Sequence, residues 1–360
     1  MDNTPDIGLQ NTLEYFFMDS KIKIIAGPCS AESRAQVLET AKALKDMGLK
    51  IFRAGVWKPR TRPGGFEGAG DVALEWLADV RKETGMKTCC EVATPEHLHK
   101  ALDSGVDILW IGARTTADPF AVQAIADGIG NREVTILIKN PVNPDVELWA
   151  GAVERFRNAG VKNILLVHRG FSSYDTGIYR NLPLWHIPIE MKRRFPDIPV
   201  LCDPSHMGGR RELVLPLSQQ ALDLMYDGLM IECHCNPDNA LSDRQQQISP
   251  AQLADVISSL RPSQEGCQTD LESLRNRIDV LDESIMKLLK ERMEVSEQIG
   301  DYKLKQNMPV FQSQRYSQIV DKVIRQAESL GLDPDFAASL MELIHKESVR
   351  LQLSRRKTKA

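Results

Sequence analysis

Two periodicities divide the chain. From residue 21 to residue 260, short β-branched runs alternate with longer segments whose apolar residues recur at helical spacing. The runs predict strands over 22–26, 50–56, 87–93, 108–112, 134–139, 164–168, 200–203 and 229–234. The segments between them, 31–47, 70–84, 95–104, 119–128, 145–159, 184–195 and 211–226, predict helices, and 250–260 supplies an eighth. The runs are apolar almost throughout, as in Ile164-Leu165-Leu166-Val167, which suits parallel strands buried on both faces. Eight strand–helix units in roughly 240 residues fit a (β/α)8 TIM barrel of the α/β class. An open doubly wound sheet more often has about five or six strands and a Gly-x-Gly-x-x-Gly turn after the first. Here the first strand runs instead into Gly27-Pro28-Cys29-Ser30.

The pattern then changes. Residues 261–270 are polar, carry Pro and Gly, and read as a linker. Beyond them no strand pattern returns. Over 271–302, apolar residues fall at 274, 278, 281, 285, 288, 295, 299 and 302, a heptad-like seam with one gap at Arg292. Asn307-Met308-Pro309 ends that helix. A second helix is expected over 312–330 and a third from 334 to about 353. Three helices alone leave such a seam poorly covered, so an intertwined homodimer through this all-α three-helix domain is expected. The expected organisation is a leader over 1–20, a barrel over 21–260, a linker over 261–270, a helical domain over 271–353 and a solvated basic tail over 354–360.

Composition narrows this picture. With 42% hydrophobic and 26% charged residues, the chain has ample material for a folded core. Its 45 basic and 49 acidic residues leave a net charge of −4, so bulk charge points to neither nucleic acid nor a membrane as partner. No apolar run reaches the about 18 residues of a spanning helix, and the polar first ten residues do not read as a signal peptide. Seven cysteines without a secretory signal argue for free thiols in a cytoplasmic protein rather than a disulfide framework.

In a barrel, chemistry gathers at the C-terminal ends of the strands. Six cations converge there: Arg53, Lys58, Arg60, Arg114, Lys139 and Arg169. One arginine at a strand end is most simply a surface ion pair. Six at one mouth repel one another and call for substrates with several negative charges, which arginine binds bidentately as phosphate or carboxylate. Cys29, His206, Glu232 and Asp243 form a second group, a thiolate, an imidazole and two carboxylates suited to a divalent transition metal. Spacing alone leaves open whether they share an ion or are separate barrel side chains, and the ligand types do not choose among Mn, Fe, Co and Zn. Cys233-His234-Cys235 is a poorer candidate, because adjacent strand residues point to opposite faces. Cys89-Cys90 lacks the spacer of a redox pair.

Gly27-Pro28-Cys29-Ser30, Lys58-Pro59-Arg60-Thr61, Ile111-Gly112-Ala113-Arg114, Asp203-Pro204-Ser205-His206, Ile231-Glu232 and Ala240-Leu241-Ser242-Asp243 follow one another over 21–260. In order and spacing they resemble the shorter, microbial subgroup of the 3-deoxy-D-arabino-heptulosonate-7-phosphate (DAHP) synthases. The resemblance implies condensation of phosphoenolpyruvate with erythrose 4-phosphate, the first step of the shikimate pathway. It also implies one divalent metal per chain on Cys29, His206, Glu232 and Asp243, with Mn favoured. Arg53, Lys58, Arg114, Lys139 and Arg169 are then expected around phosphoenolpyruvate, with Ala113 offering its backbone. Arg60 and Thr61 face the erythrose phosphate, and Glu91 helps hold the attacking water. Lys58 donates a proton to the new hydroxyl. Arg244 stands where Gly is usual and His168 where Glu is common. The related octulosonate-phosphate synthases, which take arabinose 5-phosphate, carry Lys-Ala-Asn-Arg where this chain has Lys-Pro-Arg-Thr, so the four-carbon aldose is expected.

In the helical part, Arg292 occupies a seam position, where an unpaired cation is costly. A dimer ion pair or register device is the plainer reading of it. Yet Leu274-Arg275-x-x-Ile278-x-x-x-Asp282, Glu291-Arg292, Lys303, Pro309-Val310, Ser348 and Gln352 resemble the all-helical chorismate mutases without a gap. That resemblance implies rearrangement of chorismate to prephenate. Arg275 reaches across from a partner chain, Arg292 and Lys303 clamp the carboxylates and ether oxygen, and Gln352 serves the ether oxygen. Such a pericyclic reaction needs positioning and electrostatic support but no proton transfer. Gln312 stands where Asp is frequent and Tyr316 where Glu usually holds the ring hydroxyl. Both can hydrogen-bond, and with Arg315 they share one helix face.

Two functional expectations follow. One is a bifunctional enzyme, synthase and mutase on a single chain. The other makes the helical domain a sensor and dimeriser with weak mutase activity, through which chorismate or prephenate throttles the barrel. Only about 20 residues precede the barrel, too few for a separate N-terminal regulatory domain.

Overall fold

The computed structural model describes residues 22–58, 64–174, 176–261 and 268–358, with the backbone alone for 268–271, 273 and 355–358. The expected leader, Arg60 and Thr61 lie outside the described residues. The chain forms two compact units, Met1–Ser263 and Gln264–Ala360.

In the first unit, eight parallel strands close into a barrel in sequence order. They are β1 (Lys23–Gly27), β2 (Ile51–Arg53), β3 (Lys87–Val92), β4 (Ile108–Ile111), β5 (Thr135–Lys139), β6 (Asn163–His168), β7 (Val200–Cys202) and β8 (Gly228–Glu232). Closure is made by β8 pairing with β1, Met230 opposite Ile25. Alternation along each strand then separates two cores. Ile25, Ile51, Ile108, Trp110, Leu137, Leu165, Leu201 and Met230 fill the barrel interior. The other faces, including Ile24, Phe52, Leu109, Ile136 and Ile164, pack outward on the helices.

Those helices are α1 (Arg34–Asp46), α2 (Val72–Thr84), α3 (Pro95–Asp103), α4 (Ala113–Thr116), α5 (Pro119–Ile129), α6 (Val146–Asn158), α7 (His186–Arg194), α8 (Pro204–Gly208), α9 (Val214–Asp223) and α10 (Pro250–Ser259). Their starts follow local chemistry. Ser33, Thr94, Asp118 and Asp145 accept hydrogen bonds from backbone N–H groups of the first turn, and Ser249 with Gln252 makes a capping box. The short helices α4 and α8 were not expected from periodicity. They are single turns too brief to show one, and both lie at strand ends. Several strands also stop early: β2 at Arg53, β7 at Cys202 and β8 at Glu232. Asp203 leaves β7 because its carboxylate caps α8, accepting from the His206 N–H at 3.0 Å.

The second unit holds α11 (Gln268–Lys305), α12 (Ser313–Leu330) and α13 (Pro334–Thr358). Residues 268–270 belong to α11 rather than to a linker. Likewise α13 runs past 353, to Thr358. Gln312 caps α12 from outside it, without a side-chain cap bond. Within the unit α13 packs on both α11 and α12. The seam of α11 is not covered by this: Leu274, Ile278, Leu281, Ile285, Leu288, Val295, Ile299 and Tyr302 are 43–64% exposed.

Candidate active sites

At the C-terminal end of the barrel, a sulfur, a nitrogen and two carboxylate oxygens come together. The ligand atoms of Cys29, His206, Glu232 and Asp243 all lie within 4.8 Å of one another. Local backbone brings them there. Gly27 lets the end of β1 press on β2, since a Cβ at that position would lie 2.0 Å from the Arg53 carbonyl oxygen. Arg53 in turn donates from Nη2 to the Cys29 carbonyl at 3.2 Å. The α8 turn presents His206, whose Nδ1 sits 2.7 Å from Asp203 Oδ2. Asp243 occupies a left-handed conformation, φ +46°, uncommon for a residue with a side chain.

The geometry fits a cation. His206, Glu232 and Asp243 each have one atom held from behind and another facing the cluster, as outer partners orient metal ligands. His206 holds Asp203 through Nδ1 and turns Nε2 toward Glu232 Oε1 at 3.4 Å. Glu232 accepts from Gln246 on Oε2, while its buried Oε1 has no hydrogen-bond partner. Asp243 meets Arg180 through Oδ1 and accepts from Cys29 Sγ on Oδ2 at 3.1 Å. Burial, reinforced by Glu232, pushes the Cys29 thiol up to about 12. Without a cation this sulfur keeps its proton at neutral pH; a transition-metal ion is what would displace it.

The cations surround this cluster. Arg53 is fully buried, 3.4 Å from Glu232 Oε1 and stacked 4.6 Å over Trp110. Lys139 is buried against Asp203 at 2.7 Å and lies 5.6 Å over the same ring. Lys58 Nζ is 3.0 Å from Cys29 Sγ. Burial alone would lower Lys58, but Cys29 and Glu91 outweigh it and hold the ammonium above its ordinary value. Burial alone would raise Asp203, but His206 and Lys139 hold it well below the carboxylate range. Arg169 is lowered to about 10, first by burial and then by the nearby Arg180 and Arg114, partly offset by Asp203. That repulsion places Arg114, at the start of α4, beside Arg169. Buried Ala113 precedes it, and Glu91 lies over Gly112, where a Cβ would meet its Oε1 at 2.0 Å. A cavity of about 1010 Å³ opens beside Asp243, lined by Arg180, Arg210, Arg211 and Arg244.

In the helical unit, a smaller set converges where α13 crosses α11. Arg292 donates from Nη1 to Ser348 Oγ at 2.7 Å, and Ser296 joins them at 3.2 Å. Gln352 is buried against Gly300, and its Oε1 has no hydrogen-bond partner. Lys303 donates to the Val310 carbonyl at 2.6 Å and lines a cavity of about 390 Å³ with Val295, Ile299, Tyr302 and Gln312. Tyr316 lies tilted on His345, ring centroids 4.5 Å apart, and His345 Nε2 is another buried atom without a partner. Arg315 is exposed and reaches only Gln318 of its own helix, at 3.4 Å. Arg275 is exposed on α11, roughly 25 Å from Arg292 at about 1.5 Å rise per residue, so the chain does not bring the two together itself.

Comparison with known proteins bears on both units. The model described as the DAHP synthetase I family matches residues 17–268, more than half of the chain. The chain belongs to the DAHP synthetase I family. A phospho-2-dehydro-3-deoxyheptonate aldolase of Thermotoga maritima is 34% identical over 238 residues, 66% of this chain and 68% of that protein. A 2-dehydro-3-deoxyphosphooctonate aldolase of Nitratidesulfovibrio vulgaris is 32% identical over 61% of this chain and 84% of its own length. The crystal structure of the Thermotoga maritima phospho-2-dehydro-3-deoxyheptonate aldolase aligns with TM-score 0.60 at 32% identity, covering 66% of this chain and 67% of that one. Residues 274–353 match the chorismate mutase type II model, so this DAHP synthase-family chain carries a transferase domain and an isomerase domain together.

Sequence reasoning gave no role to several groups of the two units. Asp203 was visible as an acid three residues before His206, the spacing that lets one side chain cap the turn and hold the imidazole. Arg180, Asn181 and Gln246 sit in loops without periodicity and carry no local signal. His345 reads as an ordinary helical position until its ring is found on Tyr316.

Proposed function

We propose that the barrel condenses phosphoenolpyruvate with erythrose 4-phosphate and water to give 3-deoxy-D-arabino-heptulosonate 7-phosphate and phosphate, and that the helical unit rearranges chorismate to prephenate. The observation that carries the first reading is the cluster of Cys29, His206, Glu232 and Asp243 ringed by Arg53, Lys58, Lys139 and Arg169. Bound there, a divalent ion, Mn favoured over Fe, Co or Zn, supplies Lewis acidity to the aldehyde oxygen. The chain's own groups do the rest. Arg53, Arg114, Lys139 and Arg169, with the Ala113 backbone, hold the phosphate and carboxylate of phosphoenolpyruvate, and Arg60 and Thr61 take the sugar phosphate. The enol carbon forms the new C–C bond, and Lys58, kept protonated by its neighbours, delivers a proton to the resulting alkoxide. Glu91 orients water for the carbon that then loses phosphate.

In the helical unit, Arg292 and Lys303 bind the dianion, with Ser348, Gln352, Gln312, Arg315 and Tyr316 around it. Arg275 arrives from the second chain of a homodimer joined along α11. The unpartnered Gln352 Oε1 and the Arg292–Ser348 bond support this reading. Prephenate or chorismate bound there also restrains the barrel, a role supported by both sites sharing one chain. Relatives acting as octulosonate aldolases make arabinose 5-phosphate the rival substrate; Lys58-Pro59-Arg60-Thr61 favours the shorter sugar.

A pair of variants of the intact chain tests the assignment. Cys29→Ala should lower the condensation rate by about a thousandfold or more and leave mutase turnover unchanged, while Arg292→Ala should do the reverse. A fully active Cys29→Ala enzyme, or faster turnover of arabinose 5-phosphate, would overturn the synthase assignment. Unchanged condensation in the presence of prephenate would remove the feedback role.

A further inference from the structure

Behind the four-ligand cluster runs a chain of polar contacts that none of the motifs above contains. Arg180 lies on the loop between β6 and α7. Its Nη1 donates to Asp243 Oδ1 at 2.9 Å and to Gln246 Oε1 at 2.6 Å. Gln246, almost fully buried, donates from Nε2 to Glu232 Oε2 at 2.7 Å. The orientation of that amide is dictated by chemistry. A guanidinium offers only donors and a carboxylate only acceptors, so the amide oxygen must face Arg180 and the amide nitrogen must face Glu232.

The chain Asp243–Arg180–Gln246–Glu232 therefore takes up one oxygen of each carboxylate. It leaves Asp243 Oδ2 and Glu232 Oε1 turned toward Cys29 and His206. We propose that Arg180 is a positioning residue for the cation site, which through Gln246 fixes the oxygen that Asp243 and Glu232 each present to the ion. The inference rests on the reading of the four residues as a cation site.

Two further features support the role. Asp243 is held in its left-handed conformation, φ +46°, which needs restraint from outside the loop. Arg180 itself is fixed in place. Its N–H and that of Asn181 donate to the Met207 carbonyl, one residue from His206. Gly209 packs so close that a Cβ there would lie 2.5 Å from the Arg180 Cβ. Two carboxylate ligands and the histidine are thus referred to one short segment.

The sign of the effect separates this role from simple charge. A guanidinium beside a divalent cation repels it, so if charge alone mattered, removing Arg180 would tighten cation binding. If orientation dominates, removal weakens it, by about 10–100-fold as for other outer partners of metal ligands. The experiment is Mn2+ titration of the metal-stripped, full-length chain by calorimetry, with free Mn2+ followed by electron paramagnetic resonance. Arg180→Met should raise the Mn2+ dissociation constant about 10–100-fold. Arg180→Lys keeps the charge and a single nitrogen able to donate to both acceptors, but on a shorter chain without the planar fork, and should raise it less. Wild-type or tighter Mn2+ binding by Arg180→Met would overturn the proposal. If Arg180→Met does not fold, wild-type affinity in Gln246→Leu, which breaks the chain at its middle, would overturn it equally. Cys29→Ala is the control. If it binds Mn2+ as wild type does, the cation reading itself fails; if it loses Mn2+ while Arg180→Met does not, only the positioning role fails.

Discussion

The barrel and the helical unit solve the same problem of burying an apolar surface in opposite ways. A closed sheet has no edge, and each barrel strand finds both neighbours within the chain. Its charged groups are accordingly enclosed: Arg53, Asp203 and Glu232 are fully buried and paired. The 38-residue α11, about 57 Å long, is packed within its unit mainly by the 25 residues of α13, on which the 18 residues of α12 also lie. Where α13 crosses, Ser296 is buried and Arg292 is bonded to Ser348. Upstream, every described side chain between 272 and 288 is exposed, the apolar seam included. The barrel encloses its cation cluster with its own strands and turns; the helical unit leaves the first half of its apolar seam exposed.

The largest expected effect tests that contrast directly. Leu281→Glu with Leu288→Glu places two charges on the bare seam. These side chains are 61% and 64% exposed, so the fold of the chain should be kept while a dimer joined along this seam dissociates. Burying such a charge across an interface would cost several kcal/mol, enough to give monomers at micromolar concentration. Mutase turnover should fall about a hundredfold or more, because Arg275 no longer reaches a partner's site. Condensation should be kept within about twofold, because Cys29, His206, Glu232 and Asp243 come together within one chain. Sedimentation velocity and the two assays check this. A dimer that persists with full mutase turnover would show that the seam is not the interface.

What was legible in the sequence follows the same division. Barrel strands read clearly because both faces are apolar, and the long helix because its seam keeps a strict period. Cys29, His206, Glu232 and Asp243 were visible as strand-end residues, and the fold alone brings them within 4.8 Å of one another. Arg180 and Gln246 were not legible, since loop residues have no period and their partners are distant in sequence. The start of α11 was misplaced by three residues because Gln268-Thr269-Asp270 is as compatible with a cap as with a linker. Nor could the period of a seam say whether the helices of its own unit cover it; the exposure of Leu274 to Leu288 shows that they do not.

A second prediction sharpens the contrast through pH. His168 is buried in the barrel against Tyr226, whose hydroxyl lies 2.9 Å from Nδ1, and among Trp185 and Phe171. Burial lowers its pKa to about 3. Between about 6.5 and 3 the unfolded chain takes up a proton at this position and the folded barrel does not. Stability is therefore lost as pH falls through that window, by up to about 5 kcal/mol. All five tryptophans lie in the barrel unit, so their fluorescence reports barrel unfolding in the intact chain. Urea midpoints should fall steeply between pH 6.5 and 4 in the wild type and more gently in His168→Phe. Parallel slopes would show that the buried imidazole is not what makes the barrel acid-sensitive.

The smallest expected effect concerns how finely the barrel pocket is pre-set. Arg169 Nη1 donates to Asn181 Oδ1 at 2.7 Å, and Asn181 Nδ2 donates to the His206 carbonyl at 2.7 Å. This one buried amide ties the arginine expected on the substrate phosphate to the turn that carries a ligand of the cation. Asn181→Leu keeps the volume and removes both bonds. A hydrogen bond to a charged group is worth about 1.5–3 kcal/mol at most. The freed guanidinium can still reach the phosphate, so much of that is recovered on binding. The Michaelis constant for phosphoenolpyruvate should rise about three- to tenfold, with kcat changed less and mutase turnover unchanged. An equal fall in both barrel parameters would mean that Asn181 serves the transition state rather than the resting pocket. A mutase loss of the same size would mean that Asn181 acts beyond the barrel pocket.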